Sequence, residues 1–268
     1  MKVAHINYSY GQGGSSGTEQ TVPATCALLE AEGITTCVLY EREIGAPQRG
    51  PGRALYRIPG LCSFSVLPNR TAISTALAAL ERERVDLVHL HQINNGHLVR
   101  AIARRWPTLY FVHNHVLTCP SGTRFLLRSG RTCAQIGPGL TCLRNAYLEG
   151  CQSRRPERVL RGLLDCHDAR AFARGLMLAV DSEYMKRTLV AAGYPAERIT
   201  VTPTVVEPIP RPSDDYPAHW PPRVLYVGQL IPVKGAPLLL AALRQLAIPA
   251  TLHLAGDGYL RPALERQA

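Results

Sequence analysis

Short apolar, β-branched runs alternate with helix-patterned segments through most of this 268-residue chain, and that alternation leaves few folds open. The strand-like runs fall at 3–8, 34–40, 85–91, 108–112, 176–180 and 199–202. Between them apolar residues recur at helical spacing: Val22, Cys26 and Leu29; Ile73, Leu77 and Leu80; Val159, Leu163 and Cys166. Further helices are expected at about 97–105 and from an N-cap at Ser182 to a stop at Gly193. Short strands joined by helices pair in parallel, and a parallel sheet needs both faces covered. The expected class is therefore α/β, with ligands taken at the carboxyl ends of the strands. Residues 45–70, rich in Gly, Pro and Arg, read as a surface excursion. Residues 114–155 hold no clear period and read as a long irregular lid or lip.

Two strand-to-helix connections carry glycines. After the first strand, GQGGSSGTEQ places Gly11, Gly13, Gly14, Gly17 and Glu19 ahead of a helix. Pro23 is tolerated only near a first turn, so that helix is expected to start near 18–21 and to stop at Gly33. The loop reads G-x-G-G-x-x-G, an imperfect form of the dinucleotide fingerprint, and Glu41 stands where that fold places its ribose-binding acid. The second connection lies in RVLYVGQLIPVKGAPLLLAALRQL, residues 223–246. A strand breaks at Gly228, and a loop with Gln229, Lys234 and Gly235 leads into a Leu- and Ala-rich helix. Free N–H groups and the positive dipole end of a helix make such a loop an anion site, to which Lys234 adds a full charge. The alternative is an ordinary βα connection with a solvated lysine.

Strand 85–91 ends in His89 and His91, and His113 and His115 follow strand 108–112. Residues two apart on a strand share a face, so His89 and His91 point the same way. A paired H-x-H invites a metal reading, but no carboxylate completes a ligand set, and a hydrogen-bonding role towards a polar ligand is assigned to His113. Four cysteines, Cys119, Cys133, Cys142 and Cys151, are separated by 14, 9 and 9 residues. They contain no Cys-x-x-Cys pair and read as reduced thiols, with no metal expected.

The net charge of +10 is concentrated. Residues 100–174 hold 13 arginines and no lysine against Glu149, Glu157, Asp165 and Asp168, a net +9. Phosphates or an acidic membrane face would suit that field, whereas nucleic acid is not expected without interleaved aromatics. The N-terminal MKVAHINY is not a signal peptide and no apolar run reaches a membrane span, so a cytoplasmic location is expected. Seven prolines between Pro203 and Pro222 read as a semi-rigid linker. The expected division is 1–203, a linker at 204–222, and a second α/β unit at 223–268.

Two α/β units joined in this way, with VGQLIPVKGAPLLLAALRQL followed by LHLAGDGYLRPALE, resemble nucleotide-sugar glycosyltransferases of family 4 with the GT-B fold. GGSSGTEQ, LVHLHQINN, FVHNH with CPSG, and VDSEYMKRTLVAAGYPAERITVTP support the resemblance in the expected order. It implies two Rossmann-like domains with parallel sheets, the acceptor on the first and the donor nucleotide on the second. Lys234 would stabilise the donor diphosphate, with Gly228, Gly235, Gly256 and Gly258 allowing close backbone approach. Gln229 stands where many relatives carry an arginine, and so brings no charge. His113 would contact the sugar between the domains, and Gly13, Gly14, Gly17 and Glu19 would line the cleft from the first.

The resemblance further implies a retaining transfer from a nucleotide-diphosphate sugar to a glycan or lipid-linked acceptor, with no cofactor and no metal, in the cytoplasm or at the inner membrane face. Only 46 residues follow Pro222, against ~100–150 for a domain. The donor half is therefore expected to be truncated, with the family's acidic pair beyond Ala268. Two alternatives stand: an inactive or partner-dependent piece that binds acceptor only, and an NAD-linked sugar-nucleotide epimerase or reductase. The absence of any Tyr-x-x-x-Lys spacing weighs against the latter.

Overall fold

Residues 3–7 are buried one after another, which a strand achieves only in the middle of a sheet covered on both faces. In the computed structural model, which describes residues 1–11, 17–46, 49–50, 52–62, 64–91, 93–205 and 220–267, that strand is β1 (Lys2–Tyr10). Helix α1 (Gly17–Ala31) returns the chain to β2 (Thr35–Glu43), and β3 (Ala54–Arg57) pairs beyond it. Helix α2 (Arg70–Glu83) then carries the chain back to β4 (Leu87–His91) on the other side of β1. Next come α3 (Gly96–Ala103) and β5 (Thr108–Val112). A two-residue hairpin, β6 (Phe125–Leu126) with β7 (Arg131–Thr132), and α4 (Leu140–Leu148) follow. Then α5 (Pro156–Ala173), β8 (Met177–Val180), α6 (Glu183–Ala191) and β9 (Ile199–Val201) complete the series.

The resulting seven-stranded sheet has the order β3-β2-β1-β4-β5-β8-β9, with every described pairing parallel. The order reverses between β1 and β4, and the crevice beyond their carboxyl ends is the topological switch point where such sheets take ligands.

Alternation splits the strands between two environments. Ala4, Ile6, Leu39, Val88, Leu90, Tyr110, Val112, Leu178 and Val180 pack under α2, α3, α5 and α6 as one core. Each fully buried aliphatic side chain there stabilises the fold by roughly 1.5–3 kcal/mol. On the opposite face, α1 brings Val22 and Cys26 onto Tyr10, Val38 and Tyr40. That face also carries a polar group unusual for a sheet interior, His5, His89 and His91, all buried.

Several expectations change. Residues 45–70 are not all surface excursion, because β3 adds an edge strand there; its four residues are too few to show a period. Residues 114–155 contain the hairpin and α4. Helix α1 begins at Gly17, which leaves Pro23 inside the helix, in its second turn. Ser182 does cap α6, accepting from the Met185 N–H at 3.3 Å.

The chain divides into two compact units, Met1–Leu126 with Thr132–Glu207, and Leu127–Arg131 with Pro208–Ala268. Within the second, β10 (Arg223–Val227) pairs in parallel with β11 (Thr251–Ala255). Helices α7 (Ala236–Leu243) and α8 (Arg261–Glu265) supply Ala236, Leu240 and Leu264 to a small core with Tyr226, Leu230 and Leu254. Leu225 and Val227, on the alternate positions of β10, are exposed.

Candidate functional site

In the first unit the switch point is built from β1, β4 and the turn after β5. Strand register sets His5 beside His89 and Asn7 beside His91, so the three imidazoles crowd one face. His5 Nδ1 lies 3.1 Å from His91 Nε2, and His91 Nδ1 lies 3.2 Å from His113 Nε2. A neutral imidazole has one donor and one acceptor, so this chain has a single direction. The proton position on His113 therefore fixes those on His91 and His5. Phe111 stacks on His113 at 4.4 Å between ring centroids.

Burial holds all four rings neutral. It is the largest cause in each case, lowering His89 to about 4 and His5 and His91 well below the usual range. Burial also lowers His113 to about 4, against an opposing pull from Asp181. Among the described residues, His5 Nε2 and His89 Nε2 have no hydrogen-bond partner. Among the described residues, His5, His89 and His91 are the one group of potential metal ligands whose atoms all lie within 4.8 Å of one another. Both nitrogens of His91 are already engaged within the imidazole chain, which runs towards the ligand edge.

His115 does not join this row: its ring meets Tyr184 edge-on at 6.0 Å. Asn114 caps the turn that follows, accepting from the Val116 N–H at 2.9 Å. Glu19, in the first turn of α1, accepts from Ser9 Oγ at 3.1 Å, tying the helix start to the end of β1. Gly17 is the first residue of α1, whereas Gly13 and Gly14 lie outside the described residues. Gly11 is required sterically. Its φ is +143°, and a Cβ there would sit 1.9 Å from the Ile44 carbonyl oxygen. Glu41 accepts the Cys62 N–H at 2.8 Å.

The second unit holds the other predicted residues. Gly228 donates to the Ala255 carbonyl at 3.0 Å, and Leu230 to that of Asp257 at 2.8 Å, so the loops after β10 and β11 run side by side. Gly256 and Gly258 make this approach possible: Cβ atoms there would stand 1.9 Å from the Gly228 oxygen and 2.5 Å from that of Leu230. Gly235, at φ +82°, starts α7 with open space above it. Tyr226 Oη donates to the Gln229 carbonyl at 2.9 Å, fixing the loop from below. Gln229 and Lys234 are exposed, and Lys234 makes no ion pair among the described residues. An exposed ammonium beside a helix N-terminus whose first residues carry no side-chain cap is an arrangement that can bind an anion.

Within the irregular segment, Cys119, Cys133, Cys142 and Cys151 line one small cavity with Arg124 and Asn145. Sequence spacing gave no signal of that convergence. Nor did it single out His5, whose place beside His89 depends on a pairing across 84 residues.

A seven-stranded parallel sheet with its switch point between β1 and β4, followed by a second βαβ unit, defines an α/β protein of the doubly wound class. The chain belongs to the glycosyl transferase 4-like domain family, whose model matches residues 16–204. Similar solved structures include WaaG, a glycosyltransferase involved in lipopolysaccharide biosynthesis, at TM-score 0.58 and 15% identity over 99% of this chain and 66% of that one. HepE of Anabaena, in complex with UDP and glucose, matches at TM-score 0.53 and 14% identity, covering 100% of this chain and 64% of that one. The apo lipopolysaccharide outer core galactosyltransferase WaaB matches at TM-score 0.52 and 15% identity, with the same coverage. The fold is thus that of GT-B glycosyltransferases, and the chain spans 64% of the length of HepE and of WaaB. Comparison with the curated proteins finds no match.

Proposed function

We propose that this chain serves a glycosyltransferase that moves a sugar, with retention, from a nucleotide diphosphate to a glycan or lipid-linked acceptor. The observation that carries this reading is the loop from Gly228 to Gly235. It combines close-packed glycine backbone, an exposed Lys234 with no ion pair among the described residues, and an open helix N-terminus within a chain of the glycosyl transferase 4-like family. Charge develops on the leaving diphosphate, so lysine and helix dipole supply electrostatic stabilisation without a metal or cofactor. Gln229 donates hydrogen bonds there without adding charge. Gly256 and Gly258 keep the two loops close enough to present their backbone. HepE, a similar fold, is described with UDP and with UDP-glucose, which supports a nucleotide-sugar donor.

On the acceptor side we assign His113 to the sugar, with Gly13, Gly14, Gly17 and Glu19 lining the cleft loop. The division proposed is 1–203 for the acceptor domain, 204–222 for the linker and 223–268 for donor binding. A site at an acidic membrane face, on the cytoplasmic side, is the location proposed; exposed Leu140, Leu148, Leu160 and Leu164 on α4 and α5, within the stretch 100–174 that carries a net +9, support the membrane contact. Among the described residues no helix is long and apolar enough to cross a membrane.

The test is release of nucleoside diphosphate from a panel of UDP-, GDP- and ADP-sugars in the presence of lipid-linked acceptors. Turnover of one donor with an anomerically retained product is expected. Release of nothing from any donor, alongside tight NADH binding, would replace the transferase with the dinucleotide reading.

A further inference from the structure

The irregular segment between β5 and α5 has almost no apolar core of its own. Between Cys119 and Cys151 the buried side chains are Cys119, Arg124, Cys142, Asn145 and Ala146. Between those two cysteines the regular structure is a two-residue hairpin and nine residues of α4. Short, loop-rich segments of this kind need a staple, and metal ions or disulfides are the usual ones. All eight cysteines are free.

We propose that Cys119, Cys133, Cys142 and Cys151 bind one thiophilic divalent cation of the zinc class, which fastens this segment to the first unit. Four arguments converge. All four thiols line the same cavity, although 14, 9 and 9 residues separate them. The cavity has about 20 Å³ free, room for one water-sized body, and so for a single ion rather than a multinuclear cluster. Arg124 lines it too, 9% exposed, with Nε unpartnered among the described residues and Nη2 donating to the Cys133 carbonyl at 2.9 Å. Among the described residues it makes no ion pair, and an isolated buried cation calls for a counter-charge. A divalent ion held by four thiolates carries a net −2 and supplies that charge. Finally, Asn145 Nδ2 lies 3.8 Å from Cys133 Sγ and Ser121 Oγ 3.2 Å from Cys119 Sγ, the hydrogen bonds that orient thiolate ligands.

The sulfurs stand farther apart than tetrahedral coordination at ~2.3 Å requires. Cys133 and Cys151 are only half-buried, and the proposal requires these two to turn inward on binding. Binding exchanges four thiol protons for the ion, so it weakens as pH falls.

Cobalt titration of the full chain, purified under reducing conditions and freed of metal, tests the proposal. One Co²⁺ per chain is expected, with sulfur-to-cobalt charge-transfer absorption and the strong visible bands of a tetrahedral thiolate site, both abolished by Zn²⁺. The double variant Cys133→Ser/Cys151→Ser should lose the charge-transfer bands, and Cys26→Ala, remote from the cavity, should keep them. The proposal is overturned by wild-type protein that shows no bands, by bands that survive in the double variant, or by binding without charge transfer, which would place the ion at the histidine trio. Two disulfides among the four cysteines, read by mass spectrometry after alkylation, would overturn it as well. None of these readouts depends on glycosyl transfer.

Discussion

Lys234→Ala will lower donor turnover by on the order of 10²–10³-fold and leave the fold intact. Two features separate the two effects. The Lys234 side chain is exposed and makes no ion pair among the described residues, so its removal breaks no ion pair among them. Its backbone, by contrast, is fixed by the turn that leads into α7, where the Gly235 N–H donates to the Pro232 carbonyl at 3.2 Å. The loop therefore keeps its shape while losing its one full charge. That charge matters most as the sugar–phosphate bond breaks, so kcat should fall far more than acceptor affinity. Equal losses in turnover and acceptor binding, measured with unchanged thermal unfolding, would remove Lys234 from the diphosphate site.

Acidification will destabilise the first unit before any carboxylate near its ordinary range titrates. His89 and His113 are lowered to about 4 in the fold, and His5 and His91 are lowered further, against an unfolded value near 6.5. Between these limits the unfolded chain binds more protons, so stability is complete above pH ~6.5 and is lost as pH falls towards 4. For His89 the loss at pH 5 is about 2 kcal/mol. His113 is only half-buried and contributes less, while the fully buried His5 and His91 add in the same direction.

Asp165 works the other way. Burial raises it to about 6, so its protonated form gives the fold back about 1 kcal/mol near pH 5. The imidazoles outnumber it and the net change stays negative. Urea midpoints measured from pH 7.5 to 5 should fall steadily, with His89→Asn flattening the profile. A midpoint constant across that range would mean that the histidine row is not held neutral by burial.

What the sequence made legible was whatever is local. Ser182, Gly33 and the alternation of short strands with helices are nearest-neighbour signals, and they located α6, the end of α1 and the class of sheet. The glycines and lysine of residues 228–235 were equally readable, because an anion loop is a contiguous object. Strand β3 was not, since four residues at a sheet edge show no period. The histidine row was half legible: His89 and His91 share a face by alternation, but His5 joins them only through the β1–β4 register. The cysteine cavity was not legible at all, because its lining comes from loops whose path no periodicity fixes. The glycine requirement at Gly11 and Gly256 arises from carbonyl groups that reach them across neighbouring loops.

Calorimetric titration of UDP and GDP into the chain and into Lys234→Ala tests the central claim most directly. One nucleoside diphosphate should bind the wild-type chain at a single site, and Lys234→Ala should weaken it at least tenfold. Binding that ignores Lys234, or no binding of either nucleotide by folded protein, would contradict the assignment of the Gly228–Gly235 loop to the donor diphosphate.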